Sequence, residues 1–273
     1  MRKITALLVF SAVAAMMAQA GPMAYVSLAD GRFGTMDLTS GAFSVLGTPF
    51  QNVSGLAYGP GGKLYGSDFD AEGLYLVNPS DGTGTLVGTM AVQPGDITGI
   101  AGVNGNLYTV GNLQQLYRVN ASTAATTLIG STGITPITDL SAIAALTIAA
   151  DASNIYWSNR TTTDTADRLY RVNPATGAAT LLGNVQGADF LAASGFIGGK
   201  FYLFTFEPNN IYTLDLNTLQ ATLVGSYNDL DAPVFGVAAV PEPAGLAIGG
   251  LALIGIGIMR SRRTTPLRHS RTE

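Results

Sequence analysis

The chain has no cysteine, one histidine and one tryptophan in 273 residues, and only 12% of its residues are charged. Without cysteine it forms no disulfide and no thiolate metal site. The histidine, His269, lies close to the C-terminus, so the body of the chain offers no Ser-His-Asp triad, no Cys-His pair and no imidazole-ligated metal. Glutamate is scarce as well: Glu72, Glu207 and Glu242 are the only ones before Glu273. A glycosidase that works without histidine needs two carboxyl groups about 5 to 9.5 Å apart, one of them with a raised pKa. Here aspartates would have to supply both. No G-x-x-x-x-G-K-[ST] loop occurs among the 34 glycines, so no phosphate cradle and no cofactor is expected.

What the chain does have is concentrated first at its ends. Arg2 and Lys3 precede an apolar stretch over residues 4–17, and Ala18-Gln19-Ala20 supplies small residues in A-x-A spacing. This is the pattern of a secretory signal peptide over residues 1–20, cleaved after Ala20. At the other end, Pro241-Glu242-Pro243 leads into the uncharged run AGLAIGGLALIGIGIM and then Arg260, Arg262 and Arg263. The two prolines mark an extended joint. Sixteen residues make a helix of about 24 Å, short for a bilayer core of about 30 Å but within what thinning and snorkelling absorb. The arginines place their side in the cytoplasm and everything before Pro241 outside it. The expected organisation is thus a signal peptide (1–20), an exported body (21–240), a membrane-directed segment (241–263) and a cytoplasmic tail (264–273).

Taken together, these ends resemble the PEP-CTERM family, bacterial proteins sorted by a membrane-embedded exosortase. The resemblance rests on the signal peptide, Pro241-Glu242-Pro243, the apolar span and Arg260, Arg262 and Arg263. It implies that the transmembrane helix is a temporary anchor, that an exosortase cleaves near the motif, and that the product reaches the cell surface or an exopolysaccharide matrix. An ordinary single-pass anchor retained in the membrane is the alternative.

Residues 21–243 carry seven basic and seventeen acidic side chains, a net charge of −10. Nucleic acid, anionic lipid and acidic polymers are therefore excluded as partners. Cations, neutral glycans and proteins remain.

The interior repeats. Five fifteen-residue segments end on glycine: FGTMDLTSGAFSVLG (33–47), LYLVNPSDGTGTLVG (74–88), LYRVNASTAATTLIG (116–130), LYRVNPATGAATLLG (169–183) and IYTLDLNTLQATLVG (211–225). Their starts are 41, 42, 53 and 42 residues apart, a period near 42 with one insertion of 11. Each reads as a hairpin whose turn uses residues such as Asn173, Pro174 and Gly177, the last free to take a positive φ. Between hairpins, VSGLAYGPGGKLYGS, ITGIAGVNGNLYTVG and FLAASGFIGGKFYLF give a small-residue strand, a glycine turn and an aromatic strand. Gly55, Ala57, Gly99, Ala101, Ala142 and Ala144 suit an innermost strand crowded about an axis. Four antiparallel strands per 42 residues make the blade of a β-propeller. We count five, an all-β fold that a β-sandwich would not require to repeat so regularly. The strand at residues 234–239 lacks its own hairpin, and residues 24–28 lack an inner strand, so the two chain ends are expected to complete one blade and close the ring.

Site candidates follow from register. Asn52, Asp96, Asp139 and Asp189 each stand at the start of an inner strand, with Asp231 two residues out of register. A ring of such groups around one mouth would suit a hard cation or sugar hydroxyls, unless each merely satisfies a turn. Asp68, Asp70 and Glu72 form a second acidic group without EF-hand spacing, read as a solvated loop. Trp157, in the blade with the insertion, would stack on a sugar if exposed, or fill the space between blades if buried. Phe204, Phe206 and the tyrosines in repeat register read as blade packing. The expectation is a non-enzymatic exported propeller that binds glycan or a surface protein. A propeller glycoside hydrolase using axial aspartates and a purely structural matrix protein are the alternatives.

Overall fold

The structure, a computed structural model, describes residues 21–49, 53–69, 71–92, 99–111, 114–135 and 143–241. The expected signal peptide, the apolar run and the arginine cluster lie outside them. The chain divides into two compact units, Met1–Val240 and Pro241–Glu273, and Pro241 is the only described residue of the second.

The first unit is a five-bladed β-propeller, each blade a four-stranded antiparallel sheet. After β1 (Met23–Leu28), β2 (Phe33–Asp37) and β3 (Phe43–Gly47), the second blade takes β4 (Val53–Tyr58), β5 (Leu64–Asp68), β6 (Gly73–Val77) and β7 (Gly84–Thr89). The third holds β8 (Ala101–Val103), β9 (Asn106–Val110), β10 (Gln115–Val119) and β11 (Thr126–Ser131). The fourth holds β12 (Ile143–Ala150), β13 (Ile155–Thr161), β14 (Arg168–Val172) and β15 (Ala179–Asn184). The fifth holds β16 (Leu191–Ile197), β17 (Lys200–Thr205), β18 (Asn210–Leu214) and β19 (Ala221–Ser226). Finally β20 (Val234–Ala239) pairs with β1, so the first blade runs β20-β1-β2-β3 and the two ends of the body are stitched together. The five predicted hairpins and the predicted closure are all present.

Each blade buries both faces, and this is why its middle strands read as continuous apolar runs rather than as an alternation of apolar and polar. Successive side chains of one strand go to different neighbours. In β17, Tyr202 and Phe204 pack with the first blade, while Phe201 and Leu203 pack with the fourth. In β13, Tyr156 packs with the fifth blade, and Ile155 and Trp157 with the third. The core is accordingly five separate clusters, one between each pair of neighbouring blades. Trp157 is fully buried and lies against Tyr170, ring centroids 5.8 Å apart. It fills an interblade space and offers nothing to a ligand.

The outer hairpins share one construction. In all five turns an Asx side chain, Asp37, Asn78, Asn120, Asn173 or Asp215, accepts the backbone N–H two residues on at 2.8–3.0 Å. Four residues after it, Gly41, Gly82, Ala124, Gly177 and Leu219 take φ between 56° and 80° and donate their N–H back to the Asx carbonyl at 2.7–2.9 Å. The Thr39 hydroxyl first, with the N–H groups of Ser40 and Thr39 behind it, holds Asp37 below the usual carboxylate value against the opposing effect of burial. Each hairpin also carries a β-bulge at the same place, between Phe33 and Gly34, Leu74 and Tyr75, Leu116 and Tyr117, Leu169 and Tyr170, and Ile211 and Tyr212. The bulge bends the outer strand and brings its last glycine onto the next blade's turn. A methyl group at Gly47 would lie 2.7 Å from the Asp81 carbonyl oxygen, and one at Gly88 2.8 Å from that of Thr123. At Gly225 it would lie 2.8 Å from the carbonyl oxygens of both Leu38 and Thr39, across the closure from the fifth blade to the first.

Those carbonyls belong to turns held by the Asx bonds and cannot retreat cheaply. Gly225→Ala is expected to lower stability by about 1–3 kcal/mol, the usual cost of overpacking, as measured by urea unfolding. A change below a few tenths of a kcal/mol would show that the closing contact yields.

Candidate functional site

The inner strands β4, β8, β12, β16 and β20 surround the axis, which has two distinct mouths. At the trailing mouth, where these strands end, residues 56–58, 100–102, 148–150, 194–196 and 237–239 line a cavity of about 120 Å³. Its walls are three successive positions of all five inner strands, mostly Ala, Gly and aliphatic. The Thr147 and Ser194 hydroxyls bond each other at 2.7 Å, and the Tyr58 hydroxyl donates to the Ala239 carbonyl at 3.0 Å. Burial, with Tyr25 adding to it, pushes the Tyr58 phenol up to about 12. The cavity falls well below the roughly 300–1,000 Å³ of ordinary ligand pockets.

The leading mouth, where inner strands begin, carries the chemistry. The insertion lengthens β12 and β13 and adds the loop over residues 162–167 to the fourth blade. Within it, Asp164 accepts the N–H and hydroxyl of Thr161, each at 2.8 Å, and Arg168 Nη2 at 2.6 Å. Burial alone would raise the Asp164 carboxyl, but the Thr161 donors and Arg168 together hold it below its usual value. Asp167, fully buried, accepts the N–H of Phe190 at 2.8 Å and of Leu191 at 3.4 Å. Arg160 Nη1 stands 3.5 Å from Asp167 Oδ2 and donates to Asp189 Oδ1 at 2.9 Å. The Arg160 guanidinium carbon lies 4.0 Å from the centre of the Phe190 ring.

Asp167 thereby fixes the start of β16 from the neighbouring blade. It clamps Phe190, which takes φ 56° and leaves 42% of its surface exposed. The Phe190 carbonyl accepts the Phe206 N–H at 2.9 Å, and the Phe206 ring meets that of Phe235 edge-on, centroids 5.5 Å apart. Phe190 and Phe206 of the fifth blade and Phe235 of the first therefore gather in one row at this mouth, with Arg160 of the fourth blade and exposed Asp189 at the Phe190 end. Phe204 is a buried packing residue as expected, whereas Phe206 is only half-buried and belongs to this mouth.

Of the acidic ring expected from register, Asn52, Asp96 and Asp139 lie outside the described residues. Asp189 is bound to Arg160, and Asp231 is exposed in the turn before β20. In the second acidic group, Asp68 is buried and accepts the Ala71 N–H at 2.9 Å, Glu72 takes φ 51°, and Asp70 is outside the described residues. Among the described residues no three acidic groups stand together as cation ligands. Pro241 is exposed two residues after the end of β20; Ala18, Ala20, Glu242, Pro243, Arg260, Arg262 and Arg263 lie outside the described residues. No helix among the described residues is long and apolar enough to cross a membrane.

Register alone did not single out Arg160, Asp167 or Phe190. The available signal was compositional: in a chain with 12% charged residues, Arg160, Asp164, Asp167, Arg168 and Arg171 fall within twelve positions. No family model and no curated protein matches the chain. Among solved structures, a chain from the crystal structure of a nidogen/laminin complex is similar over 79% of this chain and 97% of its own, at 12% identity and TM-score 0.54. A structural genomics protein of unknown function from Bacteroides thetaiotaomicron is similar over 81% of this chain and 63% of its own, at 16% identity and TM-score 0.54. At these identities the likeness is one of fold.

Burial outweighs the Leu191 and Phe190 N–H groups and Arg160, and sets the Asp167 carboxyl above its ordinary 3.8. Between 3.8 and that raised value the native state holds a proton that the unfolded chain has released, so this group opposes folding as pH rises through the window. Asp167→Asn, which cannot ionise, should gain stability relative to the parent over that rise. Urea unfolding of both proteins at about pH 4 and about pH 7 measures it. A constant difference between them would mean that Asp167 titrates alike in both states.

Proposed function

We propose that the protein is an exported, non-enzymatic propeller that binds a neutral glycan or a surface protein through its leading mouth. The observation that carries this reading is the row Phe190, Phe206 and Phe235 beside Arg160 and Asp189. A sugar ring has an apolar C–H face and a rim of hydroxyls. The row offers an apolar aromatic surface with the exposed Asp189 carboxylate as an acceptor at one end, held there by the buried Arg160 guanidinium, the combination of apolar lining and few polar groups that ligand sites use. The net charge of −10 over residues 21–243 favours neutral glycans over polyanions.

The ends of the sequence supply the location. The signal peptide, Pro241-Glu242-Pro243, the apolar span and the arginines support export, temporary anchoring, processing by an exosortase and delivery to the cell surface or exopolysaccharide matrix. An accessible joint suits a processing enzyme, and Pro241 stands exposed one residue past the end of β20 and its following Val240. The structural likeness to a chain from a nidogen/laminin complex is consistent with a propeller of this size working as a binding module. Hydrolysis of polysaccharide has weaker support. Asp167 is the carboxyl that burial raises, but it is enclosed and occupied by two backbone N–H groups and Arg160.

Two measurements test the reading. Intact-mass analysis of fractionated native cells should find a product ending near Pro243 in medium or matrix, lost in Pro241→Ala/Pro243→Ala. Full-length protein persisting in the membrane of both would overturn the sorting. On a glycan array, Phe190→Ala should weaken binding about tenfold, equivalent to 1.4 kcal/mol, with the circular dichroism unchanged because Asp167 holds the backbone at this position and not the ring. Binding that is unaffected would move the site away from this mouth.

A further inference from the structure

The outermost strands carry a feature that glycan binding and sorting do not use. Val45, Leu86, Leu128, Leu181 and Leu223 occupy the same position in β3, β7, β11, β15 and β19, and each is 53–57% exposed. They make up five of the seven large apolar side chains exposed among the described residues. Each is paired across the hairpin with the residue at the bulge, from Gly34 and Tyr75 to Tyr117, Tyr170 and Tyr212.

These strands are also sheet edges. Among the described residues none of them pairs with a further strand, and only the first residues of β15 and β19 donate an N–H elsewhere, to Thr132 and Gln186. Proteins ordinarily blunt such edges with charge, proline or inward-pointing charged groups. Here the segments FSVLG, GTLVGT, TTLIGS, ATLLGN and ATLVGS contain no charged residue and no proline. The rim thus presents five nearly identical, uncharged, β-prone edges on a body whose net charge is −10.

We propose that the partner of these edges is a second copy of this chain, joined edge to edge by antiparallel pairing of outer strands, with the exposed aliphatic residues packed across the seam. The segments are self-similar, so any edge of one copy fits any edge of another. Two acidic bodies repel over most of their surface, and the edges are where they can approach without juxtaposing like charges. Area decides the kind of assembly. An edge of five or six residues is about 20 Å long and about 10 Å thick, roughly 200 Å² per copy and about 400 Å² over the two copies, far below the roughly 1,200 Å² total of a stable interface. One contact is therefore weak. Five around a rim give an open, multivalent network that forms as concentration rises, rather than a closed dimer.

Sedimentation of the full chain in mild detergent, with hydrogen exchange of the outer strands, tests this. The weight-average mass should grow with concentration and with added salt, which screens the acidic repulsion, and outer-strand amides should become protected in parallel. Leu86→Lys/Leu128→Lys/Leu181→Lys/Leu223→Lys places one charge on each of four exposed positions. It should leave the circular dichroism unchanged and raise the apparent dissociation constant at least tenfold. Equal association of parent and variant would overturn the proposal and assign self-association to the apolar ends of the chain. A parent that stays monodisperse with unprotected outer amides would overturn it too, leaving the rim to a partner of another kind.

Discussion

The contact on which the ring depends is a backbone meeting a backbone. In four of the five outer hairpins the last glycine lies against the turn backbone of the following blade, so closely that a single carbon at Gly47, Gly88 or Gly225 would meet a carbonyl oxygen at 2.7–2.8 Å; at Gly183 it would meet the Leu219 side chain instead. Three local devices converge to make this possible. The Asx residue and the positive-φ residue four positions later fix the shape of the turn, the bulge bends the outer strand towards it, and glycine removes the Cβ that would hold the two apart. Because the fifth blade meets the first in the same way, through Gly225 and the Leu38–Thr39 backbone, the set of contacts closes on itself. Neighbouring blades are then held at a fixed separation, and the apolar clusters between them fill what space is left.

That division of labour explains why the chain manages without disulfides. A propeller has no single centre to collapse on, since its inner strands surround an axial cavity instead of meeting in a core. Its stability is spread over five interblade clusters, with Phe204, Trp157 and Tyr65 each serving the space between two sheets. The sheet that joins the two ends of the body, β20 on β1, makes this arrangement cyclic. Loops at the leading mouth are then free to vary without disturbing the ring. The insertion in the fourth blade uses that freedom: it brings in Arg160 and Asp167, and Asp167 reaches across to the fifth blade to fix Phe190. A buried carboxylate, two backbone N–H groups and a guanidinium hold one exposed aromatic ring in place.

The repeat was legible because its causes are local. Asn173 and Gly177 sit four residues apart since an Asx turn with a positive-φ closing residue needs them there, and Ala124 and Leu219 show that the conformation persists where glycine is absent. Tyr25, Tyr65, Tyr108, Tyr156 and Tyr202 mark the same place in every second strand. The inner strands were recognisable by small side chains at Gly55 and Ala57, where the next blade comes within contact of the backbone. The site was less legible for the opposite reason. Phe190 and Phe206 are sixteen residues apart in sequence and become neighbours only because β16 and β17 are paired, and nothing in the local pattern distinguishes half-buried Phe206 from fully buried Phe204.

Sequence alone determined the number of blades, the strand order, the closure between the two ends and the absence of thiol and imidazole chemistry from the repeating body. Each of these follows from composition or from a period that the chain carries along its own length. Tertiary structure alone decided that Trp157 belongs to the core, that Asp189 is tied to Arg160, that the axis keeps only a small cavity and that the rim shows one aliphatic side chain per blade. Those are matters of which surfaces face a neighbour and which face water, and that is set by how the blades meet around the axis.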